Sequence, residues 1–323
     1  YVRKDWLDRL GMDVPTTYDE FIEMLTRFKN EIPECTAPYT APGLKSTQAL
    51  PEFYQGATAD YVKVDGKWVD GMAQDNMLTA LQNLQDAYTA GLIDQEAITN
   101  TTSSCRDEWY AGTVGCFPYW GGLWGETLTV RLKQNVPDAE VIALPPIEGA
   151  TYLYSAPSVQ VISSKLSDEQ VASVYKYFIE YMHDGGEGQV LFQSGVEGVH
   201  WQQSGNNIDP LPTISKPAEA FRKAWITPWL ALTPMTATDK NVEVSQEVTD
   251  SLAVVSANAK NISVFPVSEQ RTMITSDLTT TRENIISRVA MGQLTPEEGM
   301  AEYKAQAETL NVAQALEEMN ANA

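Results

Sequence analysis

The sequence predicts an α/β protein, because helices with one apolar face alternate with short apolar runs that are typical of buried strands. Phe21, Leu25 and Phe28 recur at the spacing of one helix face. Thr113–Phe117 is a short apolar run that ends at Pro118, a residue that cannot donate to a sheet. With 323 residues, the chain is long enough for one large or two ordinary domains.

The N-terminal part of the chain is predicted to form a strand, a helix and a loop. Tyr1–Leu7 is expected to start as a short strand. Thr17 and Glu20 match a capping box, in which each side chain accepts a hydrogen bond from the other residue's backbone, so a helix is expected from there to Pro33. Ala37–Pro51 is polar and marked by prolines, so we expect a loop.

Asp65-Gly66 is the strongest short-range turn signal in the sequence. It lies between two strand-like segments, Tyr61–Val64 and Lys67–Val69, and therefore predicts a β-hairpin. A calcium loop can also contain such a pair, but its spaced acidic ligands and closing glutamate are missing here. Apolar residues at helical spacing then predict a helix over 77–88 that ends at Gly91.

Apolar runs and amphipathic helices continue to alternate in the middle of the chain. Glu140–Leu144 and Tyr152–Ile162 are expected as strands, and Ser167 with Gln170 begins a helix. A further short helix is expected over Glu187–Gln193. The residues expected to face inward from the Ser167 helix are Val171, Val174, Phe178 and Met182.

The C-terminal part of the chain is predicted to be helical. Residues 202–265 have weak periodicity, and Lys216–Trp225 is expected there as a helix. Ser268–Met291 has a long apolar face typical of a helix, and Thr295 begins a last helix that runs to Leu310.

The range Arg106–Trp124 is unusually rich in aromatic residues and glycine. Here Gly112 is expected to end a helix, and the paired Gly121-Gly122 lies between two indoles. Aromatic residues beside flexible backbone at a strand's end are typical of a binding cleft, and their faces suit the apolar C–H faces of sugars. For any single tryptophan, a place in the core fits equally well. The aromatic residues are Trp109, Tyr110, Phe117, Tyr119, Trp120 and Trp124.

The charge of the chain excludes some partners. Lys and Arg number 22 against 43 Asp and Glu, which gives a formal charge of −21. This charge repels phosphate backbones and anionic lipid headgroups, so neither nucleic acid nor a membrane surface is expected as a partner. No apolar run approaches the roughly 18 residues of a membrane span, so none is expected.

The chemistry-bearing residues show no cofactor or metal motif. There is no CxxC pair, and His183 and His200 lie far apart in sequence, so neither a metal nor a cofactor is expected. Cys105 and Cys116 can pair, or all three cysteines, with Cys35, can be buried thiols.

Four segments share the pattern of one known family, namely YVRKDWLDRLGMDVPTTYDEF, WYAGTVGCFPYWGGLW, IALPPIEG with YSAPSVQVISS, and DGGEGQVLFQSGVEGVHW. Together they resemble the extracellular solute-binding proteins of bacterial ABC importers, the sugar-binding family that includes maltose-binding protein. The likeness is greatest to the Gram-positive lipoprotein branch. It implies a type II periplasmic-binding-protein-like α/β fold with two lobes. It also implies an extracellular protein that is anchored as a lipoprotein in its full-length form, with the anchor expected to lie outside this chain.

The resemblance also implies a division of the chain. Residues 1–148 with 210–323 are expected to form the second lobe, and 149–209 the return portion of the first. The resemblance also implies that the earlier strands of the first lobe are absent from this chain. An incomplete lobe leaves strand edges and apolar side chains uncovered, so self-association through it is expected.

The function implied by the resemblance is that of a carrier without catalytic activity. It would capture a carbohydrate, expected to be an oligosaccharide, by lobe closure and deliver it to the importer's permease subunits. Alternatives are a peptide or amino sugar as ligand, or a glycoside-active enzyme that uses Glu108 and Glu126. The ligand-binding residues expected from the resemblance and the aromatic segment are Trp109, Tyr119, Trp120, Trp124, His200 and Trp201.

Overall fold

A computed structural model describes the chain over residues 1–154, 159–211, 233–262 and 264–323. The chain divides into two units, a large unit of Tyr1–Ala156 with Gln246–Ala323 and a small unit of Pro157–Ser245. Residues 233–245 therefore lie in the small unit, whereas the sequence-based division grouped them with 1–148. The assignment of the units to two lobes stays a prediction.

The described residues form a helix-rich mixed α/β structure, as the sequence predicts. The strands are β1 (Val2–Arg3), β2 (Ala37–Tyr39), β3 (Tyr61–Val64), β4 (Lys67–Asp70), β5 (Val114–Cys116), β6 (Val141–Ile142), β7 (Leu153–Tyr154), β8 (Trp201–Ser204), β9 (Asn207–Pro210) and β10 (Lys260–Asn261). The helices are α1 (Lys4–Leu10), α2 (Tyr18–Glu31), α3 (Pro51–Tyr54), α4 (Asn76–Thr89), α5 (Thr102–Ala111), α6 (Leu123–Asn135), α7 (Asp168–Val174), α8 (Glu187–Ser194), α9 (Gln246–Asn258), α10 (Glu269–Ala290), α11 (Pro296–Thr309) and α12 (Val312–Ala321). Within the described ranges, no helix is long and apolar enough to cross a membrane.

The central sheet of the large unit has the order β2-β5-β1-β6 among the described residues. Strands β2 and β5 are parallel, with Tyr39 opposite Cys116, and β1 is antiparallel to both of its neighbours. Ile93 adds a parallel bridge to Tyr39 on the other side of β2. Helix α2 covers the sheet with Phe21 and Phe28, which are fully buried.

The first strand is shorter than the sequence suggests. The segment Tyr1–Leu7 starts as a short strand, as expected, but only Val2–Arg3 is extended, and Lys4–Leu10 is helical. Trp6 and Leu7 are buried on one face of α1, and Gly11 ends the helix in the left-handed conformation. Residues 37–39, expected as loop, form β2 because they pair with β5.

Local signals in the large unit are confirmed. Thr17 and Thr295 make the expected capping boxes, and Gly112 ends α5 with φ of 82°. Asp65 and Gly66 both adopt positive φ, as a tight hairpin between β3 and β4 requires. Helix α5 was expected only from its end at Gly112, and helices α6 and α12 were not foreseen.

A buried ion pair fixes the hairpin to the C-terminal helices. Arg282 donates to Asp70 at 2.7 Å, and the Tyr303 hydroxyl donates to the same carboxylate at 2.6 Å. Each of these three side chains is buried. The contacts therefore join β4, α10 and α11, three elements that are distant in sequence.

Among its described residues, the small unit buries fewer apolar side chains than the large unit. Helix α7 begins at the expected capping box and continues as a π-helical segment, Tyr175–Glu180. Of its predicted inward face, Met182 is buried, but Val174 and Phe178 are 37% and 44% exposed, so that prediction is wrong for both. Helix α8 and the β8–β9 hairpin surround a small cluster of Val190, Trp201 and Ile208.

The expected strand over Tyr152–Ile162 is only partly present. Residues 153–154 form β7, which pairs in parallel with β10, while 159–162 are not extended into a sheet. Residues 155–158 and the helix expected over Lys216–Trp225 lie outside the described residues. The short strand β7 pairs within the large unit, with β10. It does not take the interior position in a sheet that its apolar residues indicated.

Candidate ligand-binding surface

Three segments of the large unit end at the same edge of its sheet. Tyr39 pairs in parallel with both Cys116 and Ile93. As a result the Thr40 amide donates to the Cys116 carbonyl at 3.3 Å, and the Asp94 amide donates to the Tyr39 carbonyl at 2.8 Å. In open α/β sheets, ligands bind outside the carboxyl ends of strands, so this edge is the candidate surface.

Aromatic residues on both sides of β5 in the sequence form a contact series. The ring of Phe117 lies 6.0 Å from Trp109 and 4.9 Å from Tyr119, and Tyr119 lies 4.8 Å from Trp124 in an edge-on arrangement. Phe117 is fully buried, while Tyr119 and Trp124 are half-buried. The series therefore runs from the core to the surface, and each outer ring packs against the next ring inward.

Arg106 of α5 binds the outer end of this series. Its guanidinium carbon lies 5.3 Å from the Trp124 ring centre and 5.9 Å from that of Tyr119. Its Nη1 donates to the Tyr119 hydroxyl at 2.6 Å, and its Nη2 donates to Ser103 at 3.0 Å. We did not foresee this residue, although a cation at the start of an aromatic segment is a usable signal for cation–π contact.

Trp120 is the most exposed of the six predicted residues, with 52% of its surface accessible. Its carbonyl accepts a hydrogen bond from the Tyr1 hydroxyl at 2.9 Å, so the backbone is held while the indole faces solvent. Trp109 differs, because it is fully buried and its Nε1 donates to the Leu128 carbonyl at 3.3 Å. This corrects its expected role: Trp109 supports the series from the core and offers no surface to a ligand.

The glycine pair beside Trp120 has a structural reason. A Cβ on Gly121 would lie 2.8 Å from the Val255 side chain, and the Gly122 amide donates to Ser251 at 2.8 Å. Both partners belong to α9, which packs against the start of α6. The two glycines therefore let α9 pack closely against this turn, and the packing fixes the turn that carries Trp120. The sequence had instead suggested flexible backbone at this position.

A polar group lies at the same edge, formed by Thr40, Asp94, Asn100 and Glu108. The Thr40 hydroxyl lies 2.8 Å from Glu108 and 3.2 Å from Asp94, and the Asn100 amide donates to Asp94 at 2.5 Å. Partial burial raises the pKa of Glu108, and the charge of Asp94 raises it further, although the bond from Thr40 opposes the change. Such a group can exchange hydrogen bonds with hydroxyl groups.

Sequence reasoning missed most of this polar group because its members come from three segments. Glu108 entered only as one carboxylate of a possible enzyme site. Its supposed partner, Glu126, is exposed on α6, whereas the Glu108 carboxylate is engaged by Thr40. Among the described residues, no group of three or more His, Cys, Asp or Glu side chains is arranged to hold a metal ion.

His200 and Trp201 lie in the small unit. Trp201 is 3% exposed, and its Nε1 donates to the Gly195 carbonyl at 3.0 Å. His200 is half-buried, and its Nδ1 accepts a hydrogen bond from the Val196 amide at 2.9 Å. Both side chains stabilise the turn before β8, so Trp201, like Trp109, packs internally instead of presenting a ring face.

The cysteines are free thiols. Cys105 and Cys116 are buried and Cys35 is half-buried, and the proposed pairing of the first two is absent. Burial raises the pKa of Cys105 to about 11 and that of Cys116 to about 12. The three thiols are therefore packing residues.

Comparison with known proteins places these features in a family. The model of the bacterial extracellular solute-binding protein family matches residues 1–182. Lipoprotein LipO of Bacillus subtilis is 22% identical over 218 residues, which cover 62% of this chain and 43% of that protein. The chain thus spans less than half the length of this relative.

Solved structures of similar fold extend over nearly the whole chain. The match to the alginate-binding protein AlgQ2 has a TM-score of 0.70 at 17% identity. It covers 99% of this chain and 70% of AlgQ2. An "HMO binding" ABC-transporter-associated solute-binding protein of Bifidobacterium longum infantis has a TM-score of 0.67 at 15% identity, with coverages of 99% and 72%. FusA of S. pneumoniae, in complex with kestose, has a TM-score of 0.64 at 18% identity, with coverages of 99% and 70%. These likenesses confirm the type II periplasmic-binding-protein-like fold.

Proposed function

Because the chain belongs to the bacterial extracellular solute-binding protein family, we propose that it captures a carbohydrate for an ABC importer. The proposed ligand is an oligosaccharide, and the proposed partners are the permease subunits of the importer. The protein acts outside the membrane and is anchored there as a lipoprotein. Closure of two lobes over the ligand completes the site.

The observation that carries this proposal is the exposed indole of Trp120 beside the ordered rings of Tyr119 and Trp124. Aromatic faces pack against the apolar C–H faces of a sugar. The hydroxyl groups at the rim of the sugar then need hydrogen-bond partners, which the polar group of Thr40, Asp94, Asn100 and Glu108 can supply. Apolar surface with a few convergent polar groups is the usual composition of a small-molecule site.

The relatives support the carbohydrate class. AlgQ2 is described as alginate-binding, and FusA was solved with kestose. The net charge of −21 favours a neutral ligand over an anionic one, because the field of the protein repels anions at a distance. We therefore propose a neutral oligosaccharide.

Thermal unfolding in the presence of ligand panels tests this proposal on the complete gene product. Neutral oligosaccharides, a uronate oligosaccharide and a mixed peptide pool form the three arms. We expect a neutral oligosaccharide to raise the melting temperature, because a ligand that binds only the native state stabilises it. A shift with peptides alone would contradict the carbohydrate class.

Product analysis of the same mixtures tests the proposed absence of catalysis. We expect no hydrolysis beyond the buffer background. Product that increases with protein and disappears in Glu108→Gln or Glu126→Gln would establish a glycoside-active enzyme instead.

A further inference from the structure

Glu52 is a buried carboxyl group of the large unit. It lies in α3 with 5% of its surface exposed. Its Oε1 is 3.0 Å from the Tyr152 hydroxyl, and its Oε2 is 3.0 Å from the Tyr39 hydroxyl. The ionisable groups that act on it are these two tyrosines, Cys116 of β5 and the more distant amino group of Tyr1. Its side-chain partners are therefore two neutral hydroxyl groups.

The hydrogen count at Tyr39 indicates the protonation state of Glu52. The Tyr39 oxygen lies 2.9 Å from the Ala49 carbonyl and 3.0 Å from Glu52 Oε2. A phenol has one proton, so it can donate to only one of these two oxygens. If Glu52 is ionised, the Tyr39 oxygen lies at hydrogen-bond distance from two acceptors, and one of these two contacts has no hydrogen between its oxygens. If Oε2 carries a proton, it donates to Tyr39, and Tyr39 donates to Ala49.

The other carboxyl oxygen completes the same arrangement. The Ile147 amide donates to the Tyr152 hydroxyl oxygen at 3.1 Å, so the proton of Tyr152 is directed to Glu52 Oε1 at 3.0 Å. That oxygen is the carbonyl oxygen of a protonated acid. Every donor from Ile147 to Tyr39 then has one acceptor, which is the condition for a stable buried polar network.

We infer that Glu52 is held as a neutral carboxylic acid and that it positions residues 147–152 against α3. The hydrogen bonds run in one direction, from the Ile147 amide through Tyr152, Glu52 and Tyr39 to the Ala49 carbonyl. This inference does not depend on the identity of the ligand, because it concerns the interior of the large unit.

Two further close approaches involve the same segment, one with the end of α3 and one with β10. Gln55 ends that helix in the left-handed conformation, with φ of 47°, and a Cβ on Gly149 would lie 2.3 Å from its Oε1. The Tyr152 carbonyl accepts from the Lys260 amide at 2.9 Å, next to the β7–β10 pair. Residues 147–152 immediately precede the point where the chain leaves the large unit after Ala156. Glu52 thus fixes the base of this connection.

Burial acts in the direction that the hydrogen count requires. It raises the pKa of Glu52, against the opposing effect of the residue's own amide and of the two tyrosine hydroxyls. A carboxyl whose folded pKa is raised stabilises the fold fully below its unfolded pKa of about 4.3 and loses this contribution as pH rises through the folded value. Glu52 should therefore make the large unit less stable as pH rises across that interval.

Infrared difference spectroscopy of the wild type against Glu52→Gln tests the protonation state directly. The expected result is a carbonyl stretch of a protonated carboxylic acid at neutral pH that the variant lacks. Only carboxylate bands in the difference spectrum would overturn the inference.

Denaturation as a function of pH tests the linkage in the same pair of proteins. A glutamine can accept from Tyr152 and donate to Tyr39, but it does not titrate. The unfolding constant of the wild type relative to Glu52→Gln should be constant below about pH 4.3 and should then rise about tenfold per pH unit up to the folded pKa. A ratio that is flat over the whole range would show an ordinary, ionised Glu52.

Two further variants test the positioning role. Below about pH 4.3, where Glu52 is protonated in both the folded and the unfolded chain, Glu52→Ala leaves two buried hydroxyls without their partner and should raise the unfolding constant at least about tenfold, whereas Glu52→Gln should remain near the wild type. Tyr152→Phe should speed hydrogen exchange at the Ile147 amide, which loses its acceptor. Equal damage from Glu52→Gln and Glu52→Ala, or an unchanged Ile147 exchange rate in Tyr152→Phe, would contradict the proposed chain.

Discussion

The two units treat amphipathic helices differently. In the large unit, the predicted inward face of α2 is fully buried at Phe21, Leu25 and Phe28. In the small unit, Phe178 of the helical segment after α7 is 44% exposed, and Val161 nearby in sequence is 86% exposed. Both helices begin at capping boxes and both carry apolar residues at helical spacing.

This difference shows what periodicity reports. Spacing identifies which face of a helix is apolar, because it depends only on the 3.6-residue repeat. Whether that face is covered depends on a partner surface, which spacing does not encode. The capping boxes formed in both units because a cap is satisfied within four residues.

The largest expected effect comes from one substitution made in both units. Phe28→Ala should reduce the free energy of unfolding by about 3–5 kcal/mol, because Phe28 is fully buried and contacts Trp6 edge-on at 5.3 Å. Phe178→Ala is the matched control, and it should cost about 1 kcal/mol or less, since the ring is part exposed and loses mainly its contact with Phe192. Chemical denaturation measures both. Equal losses would mean that the two faces are equally buried in solution.

A smaller effect is expected on self-association through the exposed face of the small unit, which is formed by Val174, Tyr177 and Phe178 of α7 and the π-helical segment after it. Tyr177 is 70% exposed on this face. Tyr177→Glu should weaken self-association by about 1 kcal/mol, because a charge would have to be desolvated or paired in the contact. Sedimentation velocity over a concentration series measures it, with Val130→Glu on the exposed part of α6 as the charge-matched control. A wild type that stays monomeric at every concentration would exclude association through this face.

The smallest effect is expected from Glu108→Gln. The raised pKa of Glu108 means that its protonated form stabilises the fold below about pH 4.3 and that this contribution is lost as pH rises through the folded pKa. The variant should therefore be slightly more stable than the wild type at neutral pH, by a few tenths of a kcal/mol, since the pair with Asp94 is partly screened by solvent. Melting curves at acid and neutral pH measure this, with exposed Glu126→Gln as control. A destabilised variant at neutral pH would mean that the ionised carboxylate is required.

Much of the large unit was predictable from short-range signals. Thr17, Asp65-Gly66 and Gly112 act within a few residues, so their caps and turns were predicted correctly. The strands were less predictable, because β1 has two residues and β2 three, too few to show an alternation. Their pairing, rather than their composition, makes them strands.

The candidate site was predictable only where its residues are consecutive. Tyr119, Trp120 and Trp124 follow one another along the chain, so composition could indicate them. Thr40 and Asp94 reach Glu108 only because Tyr39 pairs with two parallel segments, which the sequence does not specify. Trp109 and Trp201 are of the residue type expected in a sugar-binding site, yet both are buried, because an indole suits a protein core as well as a binding surface.

Calorimetric titration of Trp120→Ala in the complete gene product tests the central claim most directly. Trp120 is half exposed, so the melting temperature without ligand should change little. Affinity for the stabilising oligosaccharide should fall by about 2 kcal/mol, which is roughly thirtyfold in dissociation constant, while Trp120→Phe should retain most of it. Unchanged affinity together with a collapse of stability would show that Trp120 is a core residue and that the ligand binds elsewhere.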